Sequence, residues 1–218
     1  MSTDGAAMLR LMTWLSPAFP VGAFSYSHGL EQAVRDGAVT SEDALFEWLS
    51  DLITRGSAWN DAVLLAQAWR VAGDDARLAA VIELGAVLAS CHERQRETMQ
   101  QGAAFHRAAT PWAGAAPDEE VPYPVAIGST AGRGGTGLHE TLIAYLHAFS
   151  GNLVSAAIRL GVIGQTGGGR VLEQLETVIL ATAGRAEKSS LGDLGSATFM
   201  SEITAMRHET LEPRLFRS

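Results

Sequence analysis

Apolar residues recur at helical spacing along most of the chain. Between residues 45 and 52, leucine and tryptophan occupy positions i, i+3, i+4 and i+7, which form one face of an amphipathic helix. Thr40 and Asp43 have the character of a capping box before this helix, and Gly56 supplies a stop after it. No run combines strict apolar–polar alternation with a hairpin signal, so paired strands are not predicted.

Further apolar stripes predict the rest of the architecture. The segment from Thr110 to Pro124 holds four of the seven prolines and indicates a loop. Neither half of the chain looks complete alone, so we predict one all-α domain, residues 1–218, built as a single helical bundle of roughly eight to ten helices. Besides the helix around residues 45–52, helices are expected near residues 64–73, 78–102, 138–160, 171–179 and 199–206.

The charge and composition narrow the possible functions. The net charge is −8 and the sequence pI is about 5.2, whereas a nucleic-acid-binding protein presents a basic face. Charged residues make up 18% of the chain, against roughly 25% in typical domains. Either a partner covers part of the surface, or small alanine side chains make the helix contacts. The single cysteine, Cys91, excludes an internal disulfide.

The start of the chain and its most apolar stretch predict a soluble, cytoplasmic protein. The N-terminal residues lack a basic segment, and Arg10 interrupts their apolar run, which argues against a signal peptide. The stretch from Leu138 to Val162 comes closest to a membrane span, but Glu140 and Arg159 are among the residues that interrupt it.

The most unusual stretch is SPAFPVGAFSYSHGLEQ, residues 16–32. Exposing the aromatic rings of Phe19, Phe24 and Tyr26 would be costly, so we expect all three to pack against other residues. The stretch is then either a structural loop that joins the first helix to the bundle, or a protein-contact surface with Glu31 beside an aromatic cluster.

Two glycine-rich segments, residues 128–137 and 164–170, lack the lysine of a phosphate-binding loop. Flexible turns or close approach of helices explain their glycines better. The second segment, GQTGGGR, has the character of a helix start before Val171, where backbone N–H groups could receive a partner's carboxylate.

No catalytic or metal-binding constellation can be assembled from the sequence. The six histidines form no H-E-x-x-H motif, and His92 and His106 would lie about four helical turns apart, too far to hold one ion. Ser25 and Ser27 stand outside any G-x-S-x-G motif. We therefore predict a protein that is not an enzyme and needs no cofactor. A transient metal site shared across a symmetric dimer stays open.

The C-terminal tail, residues 211–218, combines an apolar pair with flanking arginines. We interpret Leu215 and Phe216 as anchors that insert into a partner protein. We interpret Arg214 and Arg217 as side chains that bind the partner's carboxylates. We predict a docking tail; the alternative is a tail that packs back on its own domain.

Several segments in this order resemble the UreF family of urease accessory proteins. They are SPAFPVGAFSYSHGLE, ERQRETMQQG, YPVAIG, AYLHAFSGNLVSAAIRLGVIGQT and HETLEPRLFRS. The resemblance covers nearly the whole chain. One departure is Gly169, which stands before Arg170 where the family usually has a second glutamine.

The resemblance implies an all-α homodimer that binds UreD (called UreH in some organisms) and the GTPase UreG, and that links UreG to UreD and apo-urease during nickel insertion. It implies that the C-terminal tail contacts UreD. Residues expected to bind partners are Ser25, Tyr26, Glu31, Gln165, Arg170, His208, Glu209, Arg214, Leu215, Phe216, Arg217 and Ser218.

Two other functions stay open within this family reading. The chain could regulate GTP hydrolysis by UreG, with Arg133 or Arg170 as an inserted arginine. It could also carry nickel directly through its histidines.

Overall fold

The computed structural model describes residues 5–114 and 120–218, and within them the chain is helical without any strand. The all-α prediction is therefore confirmed for this part of the chain. Ten α-helices are present there: α1 Gly5–Trp14, α2 Leu30–Arg35, α3 Glu42–Arg55, α4 Ser57–Arg70, α5 Asp75–Val87, α6 His92–Ala113, α7 Tyr123–Arg133, α8 Leu138–Arg159, α9 Gln165–Ala186 and α10 Phe199–His208. Short 3-10 turns lie at Ala23–Ser25 and Leu191–Asp193.

Helix α4 lies at the centre of the bundle, where it packs against α3, α7, α8 and α9. Its closest neighbour is α7, because two glycines of α7 face the α4 backbone. A Cβ at Gly128 would overlap the carbonyl oxygen of Leu65, and one at Gly132 would lie 2.6 Å from the carbonyl oxygen of Trp69. The glycines of this segment thus permit close helix approach, as one of the two sequence explanations proposed.

Helix α8 is also a core element. It is long and apolar enough, by length and composition alone, to cross a membrane, but 56% of its most apolar window is buried inside the structure. Leu142, Leu146 and Leu153 are fully buried there. The helix runs through Ser150 without interruption.

One predicted helix start and one predicted helix need correction. The N-cap of α3 is Ser41, one residue after the predicted Thr40, and its hydroxyl accepts from the N–H of Ala44 at 3.2 Å. The helix predicted over residues 78–102 is two helices, because the chain turns between Val87 and His92. At this break the Gln95 side chain donates to the Ala86 carbonyl at 3.0 Å. This hydrogen bond gives a partner to one of the carbonyl groups in the last turn of α5, which have no partner within the helix.

Part of the predicted proline loop is helical. Helix α6 continues through Pro111 to Ala113 and α7 begins at Tyr123, so the loop prediction is wrong at both ends of the segment. Residues 115–119 lie outside the described part of the chain. Proline cannot donate to the carbonyl four residues earlier, which belongs to Arg107. The hydroxyl of Thr110 donates to that carbonyl instead, at 3.2 Å.

Helix α9 begins at Gln165, six residues before the predicted start near Val171. Three glycines of GQTGGGR therefore lie inside the first turns, and the fourth, Gly164, is the N-cap. A side chain at Gly167 would overlap Glu42 of α3, and one at Gly168 would press on Val154 and Ile158 of α8. Close packing of three helices explains why this helix tolerates the glycines.

Helix α10 exists as predicted, but its large apolar residues do not form its inner face. Phe199, Ile203 and Met206 are largely exposed. The buried side is formed by Ser201, Thr204, Ala205 and His208. The inner face is small and polar because α10 packs on the short helix α2, whose Gly29 approaches the α10 backbone at Ala205.

Candidate partner-docking site

The C-terminal tail lies on its own domain. Phe216 is 2% exposed and belongs to the main hydrophobic core. The guanidinium carbon of Arg159, at the end of α8, stands 4.2 Å from the centre of the Phe216 ring. Of the two predicted anchors, Phe216 therefore faces inward, while Leu215 is 60% exposed.

Glu31 of α2 holds the tail through its backbone. Its carboxylate accepts from the N–H of Leu215 at 2.8 Å and from the N–H of Phe216 at 2.9 Å. Burial alone would raise the pKa of Glu31, but these two N–H groups and His208 hold it below its usual value. A buried carboxylate that accepts two backbone hydrogen bonds fixes the direction of the tail as well as its position.

His208 connects Glu31, which holds the tail, to helix α6. It is completely buried, and its Nε2 lies 3.1 Å from Glu31 while its Nδ1 lies 2.8 Å from Glu93. The imidazolium form would donate to both carboxylates at once. Arg214 of the tail also contacts Glu93, so α2, α6, α10 and the tail meet in one network of charges.

The last two residues are also held by backbone hydrogen bonds. The N–H of Arg217 donates to the Ser25 carbonyl at 2.8 Å, and the Ser218 carbonyl oxygen accepts from the N–H of Ser27 at 2.7 Å and from its hydroxyl. The Ser218 hydroxyl donates to Glu97 of α6 at 3.0 Å. Ser218 is 1% exposed, so the end of the tail is built into the domain.

Glu97 is the centre of a buried cluster beneath the tail. It pairs with Arg94, its Oε1 lies 2.9 Å from His28 Nε2, and it accepts from the Gln101 amide at 2.9 Å. Burial would raise the pKa of Glu97, but Arg94 and His28 lower it to about 2. Since Glu97 is ionised at neutral pH, it can hold the Ser218 hydroxyl in place.

The loop of residues 16–32 partly follows expectation. Phe19 packs near Phe105, with ring centres 5.7 Å apart, and Tyr26 is buried with its hydroxyl donating to Gln100 at 2.9 Å. Phe24 is 66% exposed, so the prediction that all three aromatic rings pack is wrong for Phe24.

The structure brings most of the predicted partner-binding residues together. Gln165 and Arg170 do not join this network through any hydrogen bond or ion pair in the described ranges; Arg170 forms a two-bond pair with Glu42, at 2.9 and 2.6 Å. The residues gathered around the tail are Ser25, Tyr26, Glu31, His208, Glu209, Arg214, Leu215, Phe216, Arg217 and Ser218.

Sequence reasoning missed Arg94, Glu97 and Gln101 as parts of this site. They stand at i, i+3 and i+7 of α6, which places them on one helical face. Their helical spacing within a polar segment could have indicated a buried face, because a buried polar stripe has the same period as an apolar one.

Neither alternative function gains a site from the described residues. Arg133 donates to the Ala72 carbonyl at 2.8 Å and pairs with Asp75 at 3.3 Å, and Arg170 pairs with Glu42. Within residues 5–114 and 120–218 no group of three or more His, Cys, Asp or Glu side chains is arranged to hold a metal ion.

Comparison with known proteins places these features in a family. Residues 39–176 match the family model of UreF. The chain is 53% identical to the Urease accessory protein UreF 1 of Brucella anthropi, over 97% of this chain and 94% of that protein. It is also 53% identical to the Urease accessory protein UreF of Agrobacterium fabrum, over 98% of this chain and 97% of that protein. The chain therefore belongs to the UreF family of urease accessory proteins.

Proposed function

We propose that this protein is a non-catalytic adaptor in urease maturation, which links the GTPase UreG to UreD (UreH) and apo-urease for nickel insertion in the cytoplasm. The observation that carries the proposal is the tail. Its inner side is fixed by Glu31 and the buried Phe216, while its outer side presents Leu215. A tail that is already held in place on its own domain loses little conformational freedom when a partner binds its exposed apolar and basic side chains.

The charges of the tail suit an acidic partner surface. Arg214 and Arg217 flank Leu215 and are exposed, although Arg214 also pairs with Glu93. Arginine favours planar, two-bond recognition of carboxylates, and an exposed leucine between two arginines gives such a contact an apolar centre. We assign this outer side of the tail to UreD.

The proposed homodimer is supported by apolar residues elsewhere on the surface. Met8, Leu9 and Met12 of α1 are each more than half exposed, as are Phe199 and Met200 of α10. Apolar side chains grouped on one side of a helix are the usual composition of an interface core. We propose that α1 and α10 supply the contact between two copies of the chain.

Reconstitution of the maturation complex tests the adaptor role. Tagged UreD bound to apo-urease would be used to recover UreG in the presence and absence of this chain, and urease activity would be measured after adding nickel and GTP. We expect UreG to be recovered, and urease to be activated, only when the chain is present. Recovery of UreG without the chain would contradict the adaptor role. An unchanged recovery with altered GTP hydrolysis would favour the regulator instead.

A further inference from the structure

A cavity of about 420 Å³ lies between the loop of residues 15–24, helix α6 and helix α8. Most of its wall is apolar, with Phe19, Val21, Phe149 and Leu172 among the lining residues. The volume falls in the range of small-molecule sites, roughly 300–1,000 Å³. None of the tail residues 211–218 lines it, but Arg94, Glu97 and Gln101 do, so the cavity adjoins the cluster that supports the tail.

One part of the cavity wall carries buried charges. Asp61, Arg94 and Glu97 line it, with the Asp61 carboxylate 4.0 Å from Arg94 and Glu97 paired directly with Arg94. Burial raises the pKa of Asp61, while Arg94 and the Tyr145 hydroxyl that donates to it act in the opposite direction. With both carboxylates ionised, two of them share one guanidinium, which leaves one negative charge in excess. Burial and the neighbouring Arg94 lower the pKa of His28, so this histidine is neutral and does not restore the balance.

His28 also offers an unused hydrogen-bonding atom. It lines the cavity and is 8% exposed, and its Nδ1 has no hydrogen-bond partner. The other ring nitrogen, Nε2, lies 2.9 Å from Glu97 Oε1 and 3.2 Å from Arg94 Nη1. Because the nearer neighbour is an ionised carboxylate, we assign the donor role to Nε2. In the neutral ring Nδ1 is then an acceptor that requires an N–H or O–H group.

We propose that this cavity binds a small organic cation, an amine or guanidine on a flat apolar body. The excess carboxylate charge attracts the cationic group, and His28 Nδ1 accepts one of its N–H hydrogens. The aromatic rings of Tyr123, Tyr145 and Phe149 in the wall offer π-faces that favour a cation and pack against an apolar body. The cavity shares Arg94 and Glu97 with the support of the tail, but the proposal does not require the adaptor role.

Three probes of similar shape test the charge preference. Phenethylamine, 2-phenylethanol and 3-phenylpropanoate would each be titrated into the full chain at neutral pH by isothermal titration calorimetry. We expect the amine to bind at least about tenfold more tightly than the alcohol, and the carboxylate to bind most weakly. Equal binding of alcohol and amine, tighter binding of the carboxylate, or no binding by the amine would overturn the proposal.

Two matched glycine substitutions locate the binding. Gly151 of α8 lines the cavity, Gly184 of α9 does not, and a Cβ at either meets no atom within 4 Å. Gly151→Leu should abolish amine binding by filling the cavity, whereas Gly184→Leu should leave it unchanged; both should melt no lower than the parent. Amine binding that survives Gly151→Leu would place it elsewhere and refute the site.

A charge substitution tests the recognition itself. Asp61→Asn keeps the volume of the side chain but removes the excess negative charge. The amine and the alcohol should then bind with affinities within about threefold of each other. If Asp61→Asn retains the full tenfold preference for the amine, the proposed recognition is wrong.

Discussion

The backbone N–H of Phe216 donates to the Glu31 carboxylate at 2.9 Å, although 185 positions separate the two residues in the sequence. The same carboxylate accepts from Leu215 and contacts His208. A tail that appears in the sequence as a free end is thereby part of the domain, and only its outer side is open to a partner.

Replacing Glu31 with Gln should loosen the tail. The glutamine amide has one acceptor oxygen instead of two, and its NH2 group cannot accept a hydrogen bond. At least one of the buried donors of Leu215, Phe216 or His208 therefore loses its partner. The expected loss is about 1–3 kcal/mol of the free energy of unfolding. Hydrogen exchange at the Leu215 and Phe216 amides should become faster. The control Glu42→Gln removes an exposed pair with Arg170 and should leave these amides unchanged; equal exchange in both variants would contradict the role of Glu31.

Acid should destabilise the fold through Glu97. Its pKa is about 2 in the folded protein against an ordinary value of 4.5, so the unfolded chain binds the proton more readily. The stabilisation is present above pH 4.5 and is lost as the pH falls toward 2. Its size is on the order of 3 kcal/mol, and urea unfolding at a series of pH values measures it.

The matched variant for this pH dependence is Glu97→Gln. It should be less stable at neutral pH, and its free energy of unfolding should fall less steeply across the same acidic range. An identical slope in the parent and the variant would show that other groups are responsible for the acid sensitivity.

Gly128→Ala should destabilise the contact between α4 and α7. The added methyl group would overlap the Leu65 carbonyl oxygen, which is backbone and has little freedom to move. We expect a loss of about 1–3 kcal/mol in urea unfolding. Gly184→Ala, in a helix position with open space, should instead raise stability by roughly 0.4–1 kcal/mol. Equal effects at the two positions would contradict the close approach.

Introducing charge on α1 or α10 should dissociate the proposed dimer. Leu9 is 66% exposed and Phe199 is 70% exposed, so Leu9→Glu and Phe199→Glu leave the monomer core intact. Light scattering after gel filtration should report the 23.0 kDa chain mass for both variants and twice that mass for the parent. Leu180→Glu on α9 is the control, since Leu180 is 53% exposed on another helix, and it should remain dimeric. Dimers of all three variants would place the interface elsewhere.

The sequence predicted the helical class because its apolar spacing is local information. The exact helix ends were harder to predict, because two adjacent residues such as Thr40 and Ser41 can both cap a helix. Which of them does so depends on packing against other helices, and the local sequence pattern carries no information about that packing. The inner face of α10 could not be predicted by hydrophobicity, because its neighbour α2 approaches so closely that Ser201 and Thr204 fit where Phe199 does not.

The candidate docking site was predicted in part. The family resemblance marked Glu31, His208 and the tail, but the hydrogen bonds that join them connect chain segments almost the full sequence apart. The burial of Phe216 and the exposure of Leu215 depend on the direction in which the tail crosses Glu31, and that direction follows from the two N–H donors at 2.8 and 2.9 Å.

The most direct test of the docking role is gel filtration with light scattering of this chain mixed with cognate UreD. Four forms would be compared: the parent, Leu215→Asp, Leu180→Asp and a chain ending at Thr210. Leu215 and Leu180 are both exposed, so neither substitution should lower the melting temperature. We predict that the parent and Leu180→Asp elute with UreD, and that Leu215→Asp and the shortened chain do not. If Leu215→Asp and the shortened chain both elute with UreD as the parent does, the outer side of the tail is not the docking surface.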